Sequence, residues 1–122
     1  MKRTNDKKYD ENIISALQSL SIPLMSFDGH KVYFENNKRN ETIFEHIANK
    51  RHRFSVSDIK AIPSILKDEE SLQKDKKKGT FRNYIGKRTK KNDKTKYIKI
   101  ITRKADNNKE TVVSIYLIKE KN

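Results

Sequence analysis

His46 and His52 stand in the run Glu45-His46-Ile47-Ala48-Asn49-Lys50-Arg51-His52-Arg53, which places two of the chain's three histidines in one short basic stretch. Cleaving RNA without a metal needs a base to take the 2′-hydroxyl proton and an acid to protonate the leaving 5′-oxygen. It also needs cations to hold the charge that builds on the phosphorane. Histidine suits both proton-transfer roles, because an unperturbed pKa of about 6.5 lets it give or take a proton near neutrality. Lysine and arginine suit the third, arginine because its fork binds two phosphate oxygens at once. His46 falls on the flank of a helical stretch, about one turn from Thr42 and Lys50. His52 falls where that helix should end, between Arg51 and Arg53. Blander readings of the same residues stay open. His46 borders the apolar stripe of Ile43 and Ile47 and could be structural, and Arg51-His52-Arg53 could be a solvated basic helix end answering the helix dipole. Neither the spacing nor the nearby acids match a zinc pattern, so no metal and no cofactor are expected. His30, beside Asp28-Gly29, reads as a surface residue.

The cations are segregated. Residues 74–104 hold 14 lysines and arginines against two acids, which is +12 of the chain's net +13. Evenly spread charge would speak of solubility; concentrated charge speaks of a partner, and nucleic acids are the common extended polyanions. The RNA-binding candidates are Arg53, Arg82, Lys87, Arg88, Lys90, Lys91, Lys94 and Lys96, with Tyr84 and Tyr97 available to stack bases. Binding through them should weaken steeply as salt rises.

Composition narrows the class further. The 122 residues make one domain, residues 1–122, with only 33% hydrophobic and 37% charged side chains, so a few well-patterned segments must supply the core. Cysteine is absent, which excludes disulfides, a thiolate nucleophile and cysteine-bound zinc, and fits a cytoplasmic location. The start, Met1 to Lys8, has no apolar run and does not read as a signal peptide. No stretch reaches the roughly 20 apolar residues that span a bilayer, so no membrane partner is expected.

The elements that must position these groups are legible in outline. Ile13, Ile14, Leu17 and Leu20 recur at helical spacing after Asp10, a plausible N-cap, and Pro23 ends that helix. Asp28-Gly29 between Leu24–Phe27 and Lys31–Phe34 predicts a hairpin. A second helix is predicted from Glu41 to Lys50. A third, capped by Ser55 or Ser57, carries Ile59, Ile62, Ile65 and Leu66, with a break expected at Pro63. Residues 1–9 read as a flexible basic N-terminus and 67–80 as a mobile charged loop. Phe81–Arg88, Lys96–Lys104 and Thr111–Lys119 then read as strands. Helices first and strands last imply an α+β domain, with N-terminal helices packed on one face of a C-terminal antiparallel β-sheet. Period two makes available a polar face holding Tyr84, Lys99, Ser114 and Tyr116.

The run from Glu41 to Leu66 resembles the phage and prophage nuclease domains of the barnase/EndoU/colicin E5–D/RelE-like (BECR) superfamily. In those domains a histidine-bearing helix leads into an arginine-histidine pair and a Ser-x-x-Asp-Ile segment. Strands follow that end in a Ser/Thr-x-Tyr element. The matching parts here are His46, Arg51-His52, Ser55-Val56-Ser57-Asp58-Ile59, Asn83-Tyr84-Ile85-Gly86-Lys87, Tyr97–Ile100 and Val113-Ser114-Ile115-Tyr116, and the resemblance covers about residues 30–120. It implies a metal-independent endoribonuclease of toxin type that leaves 2′,3′-cyclic phosphate ends. It also implies His46 and His52 as acid/base candidates, and Arg51 and Lys99 as phosphate and transition-state binders. Ser114 and Tyr116 would position the substrate, and a cognate immunity protein or antitoxin is a possible partner. Two other functions fit the charge: a non-catalytic RNA-binding module, and a basic inhibitor module that binds an acidic protein.

Overall fold

A computed structural model describes residues 8–38, 41–73, 80–89 and 94–120. Helix α1 (Glu11–Gln18) starts at Asp10, whose carboxylate accepts the Asn12 N–H at 2.9 Å, and buries Ile13, Ile14 and Leu17. Strands β1 (Leu24–Met25) and β2 (Lys31–Phe34) pair antiparallel around Gly29, whose φ of 82° lies in the region that glycine enters without steric cost. A small antiparallel pair, β3 (Asn37–Lys38) and β4 (Glu41–Thr42), follows. Thr42 then caps α2 (Ile43–Ala48) in a reciprocal box with Glu45.

Helix α2 is shorter than the predicted Glu41–Lys50. Asn49 leaves helical geometry at φ −57°, ψ 127°, and its side chain accepts the Arg51 N–H at 3.1 Å, a local bond that competes with helix continuation. A 3₁₀ turn (Lys50–His52) closes on Arg53, which sits in the left-handed region at φ 59°. Ser55 caps α3 (Val56–Lys67), again in a reciprocal box, with Asp58. The helix runs unbroken through Pro63, contrary to the expected break. An interior proline costs about 3 kcal/mol. Burying Ile59, Ile62, Ile65 and Leu66, at about 1.5–3 kcal/mol each, outweighs that.

The sheet corrects the antiparallel expectation. Strands β5 (Phe81–Lys87), β6 (Tyr97–Ala105) and β7 (Lys109–Ile118) do form an antiparallel meander. The N-terminal hairpin joins it through β2, which lies parallel to the first part of β7, and the order becomes β1-β2-β7-β6-β5. The result is a mixed five-stranded sheet in an α+β domain. Its covered face supplies Tyr84, Ile98, Ile100, Val112 and Ile115 to one core with the apolar faces of α1, α2 and α3. Without this contact the edge of β2 away from β1 would be open, and Val32 of this strand is fully buried.

Two expected mobile segments are partly built into the fold. Lys67 ends α3, Glu69–Ser71 form a 3₁₀ turn, Leu72 bridges Tyr84, and the Gln73 N–H donates to the Asn83 carbonyl at 2.8 Å. Residues 74–79 lie outside the described residues, as do 1–7 of the N-terminal segment. Tyr9 bridges Asn49, and the Asp10 N–H donates to the Ala48 carbonyl at 2.8 Å.

Candidate functional site

Strand register decides which predicted residues share a face. Three rows cross the side of the sheet that no described helix covers: Asn83–Ile101–Ser114, Ile85–Lys99–Tyr116 and Lys87–Tyr97–Ile118. A bulge opposite Ile101 and Thr102 leaves Val113 as the extra residue of β7, so Val112 turns to the covered side with Ile115. Lys99, Ser114 and Tyr116 therefore meet on one face, as the pattern predicts. Tyr84 does not join them; it is fully buried on the opposite face.

Directly across the strands, the Lys99 ammonium lies 5.6 Å from the centre of the Tyr116 ring, within cation–π range. Together with Gln73, Asn83, Ile85 and Ile118 these two line a cleft of about 710 Å³. Lys87, Lys94 and Lys96 are exposed, and Tyr97 is half-buried beside Lys99. Lys90 and Lys91 lie outside the described residues.

The histidines form a second cluster. The rings of His46 and His52 lie 5.2 Å apart and tilted by 56°, and His52 also faces Phe54 at 6.2 Å. Nε2 of His52 is shielded from solvent, while Arg51 and Arg53 are exposed on either side. Neither histidine lines the sheet cleft. The tertiary structure thus brings His46 to His52 and Lys99 to Tyr116 as two separate pairs.

Three of the RNA-binding candidates turn inward. Arg88 has no exposed side-chain surface: Nε donates to Asp58 Oδ1 at 2.9 Å, Nη2 to Oδ2 at 2.7 Å, and Nη1 to Thr95 Oγ1 at 2.7 Å. It ties the start of α3 to the end of β5, so it is structural. Arg82 bridges two acids, with Nη2 on Asp28 Oδ2 at 2.6 Å and Nη1 on Glu110 Oε2 at 2.7 Å. The Tyr84 hydroxyl donates to Glu110 Oε1 at 2.9 Å, and so does that of Thr102 at 2.7 Å.

Sequence reasoning missed this network entirely. Glu110 is fully buried, and His30 Nδ1 sits 2.8 Å from its carboxylate, so His30 is not the surface residue expected. The available signal was a charge, Glu110, at the head of an apolar strand, with Arg82 and Tyr84 at matching period-two positions. The Arg82 guanidinium holds the Asp28 carboxyl well below the usual range, against the opposing effect of burial, and Asp28 in turn raises Arg82. Burial pushes the Tyr84 phenol up. Asp28, His30 and Glu110 could offer a metal three donor atoms within 4.8 Å of one another, but Arg82 already binds both carboxylates and supplies the positive charge there. No family model, no curated protein and no solved structure matches the chain.

Proposed function

We propose that the chain is a metal-independent endoribonuclease of the phage or mobile-element toxin type, related in architecture to the barnase/EndoU/RelE-like nucleases. It would cleave RNA by 2′-hydroxyl attack and leave 2′,3′-cyclic phosphate ends. The observation that carries this reading is the 5.2 Å approach of His46 and His52. On a continuous helix, residues six apart are about 9 Å apart along the axis and point to different faces. Here α2 stops at Ala48, a 3₁₀ turn over Lys50–His52 follows, and Arg53 adopts a left-handed conformation. That conformation costs a non-glycine residue roughly 1–2 kcal/mol. Strain of this kind is concentrated at functional sites in folded proteins.

Two imidazoles at this distance can divide acid and base duty, and neither role is given to one ring alone. Arg51, exposed beside His52, would bind the scissile phosphate, and Lys99, in the separate sheet cleft, would bind a phosphate farther along the strand. Ser114 and Tyr116 would position the substrate, with Arg53, Lys87, Lys94, Lys96 and Tyr97 along the strand that it follows. RNA is then the substrate and a cognate immunity protein or antitoxin the fitting partner, in the cytoplasm. Among the described residues no helix is long and apolar enough to cross a membrane.

The test is incubation with total RNA in excess EDTA, followed by mapping of the ends. The expected result is cyclic-phosphate ends that disappear with His52→Ala while RNA affinity persists. A second reading, the non-catalytic RNA-binding module, draws on the packing of His52 between His46 and Phe54 with Nε2 away from solvent. Salt-sensitive RNA binding without any cleavage would select it.

A further inference from the structure

We infer that the cleft on the uncovered face of the sheet is a nucleobase subsite for adenine or cytosine, held unstacked from single-stranded RNA. The inference rests on the RNA reading above and adds a base preference to it.

The cleft's size, about 710 Å³, falls within the range of small-ligand sites. Its walls carry the three chemistries of a nucleotide. Ile85 and Ile118 give an apolar floor, Tyr116 a ring on which a base can stack, and Lys99 a cation for the adjoining phosphate. The remaining wall is made by two carboxamides, Gln73 and Asn83, held side by side because the Gln73 N–H donates to the Asn83 carbonyl at 2.8 Å. Neither belongs to the proton-transfer pair.

The state of these amides sets the preference. Gln73 Nε2 donates to the Ser71 carbonyl at 3.2 Å, which leaves its Oε1 as an acceptor for the cleft. Among the described residues, the Asn83 carboxamide has no hydrogen-bond partner and offers one acceptor and one donor. Adenine presents its 6-amino group beside N1, and cytosine its 4-amino group beside N3, so each shows a donor next to an acceptor. Asn83 pairs with that edge through both ends of its amide, and Gln73 Oε1 accepts the second amino hydrogen. Guanine and uracil put a carbonyl oxygen where the amino group would be, so it faces Gln73 Oε1 lone pair to lone pair. Lys119 and Glu120 at the rim add a second cation and a further acceptor.

The test uses uncleavable 2′-O-methyl nonamers, so that binding is read apart from catalysis. Nine uridines are compared with the same strand carrying one central cytidine, and a central adenosine is compared with a central guanosine. Cytosine and uracil are nearly isosteric, so that pair isolates the hydrogen-bonding edge. The wild-type protein should bind the cytidine and adenosine strands about tenfold tighter than their partners, a ratio in the range of one bidentate amide–base contact. Asn83→Leu, which removes both amide groups at similar size without adding charge, and Gln73→Ala should each bring both ratios below about threefold, with the affinity for nine uridines kept within about twofold. That retained affinity also reports that the variants fold. Equal binding of each pair by the wild type overturns the subsite and leaves the RNA reading standing. The same holds for ratios that survive both substitutions. Failure of every strand to bind in a salt-dependent way overturns both.

Discussion

Arg88→Ala separates a structural arginine from an RNA-binding one. The Arg88 and Asp58 side chains are 0% and 1% exposed, joined by two charge-assisted bonds of 2.9 and 2.7 Å, with a third from Arg88 to Thr95. Truncation leaves the Asp58 carboxylate in the interior, still accepting the Ser55 N–H at 2.8 Å but without its counter-charge. Stranding a buried ion costs about 3–5 kcal/mol. A chain of this length has roughly 6–18 kcal/mol of total stability. For a domain of this size the loss lowers Tm by about 10–25 °C, read from circular-dichroism melts. Asp58→Asn with Arg88→Gln should recover part of it, because no ion is then left alone. Lys96→Ala is the control: its side chain is exposed, so stability should change by under about 0.5 kcal/mol while RNA affinity falls. The reasoning is refuted if Arg88→Ala melts within about 3 °C of wild type and loses RNA affinity as Lys96→Ala does.

Three other outcomes follow from the same geometry. A Cβ on Gly86 would clash with Cγ1 and Cδ1 of Ile65, so Gly86→Ala should cost about 1–3 kcal/mol in urea unfolding. Ile65→Ala in the same chain should then cost less than it does alone; simple additivity would show that the clash is relieved elsewhere. Asp28 has a depressed pKa, chiefly through its bonds to Arg82, so its contribution is present above the unfolded carboxyl's pKa of about 3.9 and is lost as pH falls below it. Tm of the wild type should therefore drop more steeply than that of Asp28→Asn between about pH 5 and 2, and parallel profiles would contradict the linkage. Lys99→Ala should reduce the slope of log affinity against log salt by about 0.7 on single-stranded RNA; an unchanged slope would remove Lys99 from the phosphate path.

Local signals account for the parts of the fold that could be read directly. Asp10 and Ser55 cap helices because their side chains reach backbone N–H groups two or three residues ahead, and that depends on nothing distant. Asp28-Gly29 makes its turn for the same kind of reason, and the three long strands show their period within themselves. Pro63 is the instructive failure. Its local penalty is real, but burial of four aliphatic side chains against other elements is larger, and a helix-by-helix reading cannot include it.

The candidate site divides in the same way. Residue type and spacing settled that this chain carries a segregated positive charge, a histidine pair in a basic segment, and a strand in which Ser114 and Tyr116 share a face, while the pairing of that face with Lys99 waited on register. Only the tertiary structure decided which cations meet solvent. Arg82 and Arg88 have the same chemistry as Lys87 and Lys96, and they turn inward because Asp28, Glu110 and Asp58, between 28 and 54 residues away, wait there. One extra residue in β7, Val113, moves Val112 to the covered side, and the matching of β5 to β6 puts Tyr84 in the core. Periodicity is a property of a single strand, whereas register and charge pairing are properties of two. A sequence therefore fixes the first by local sterics, and the second emerges only when the strands and their partners are packed together.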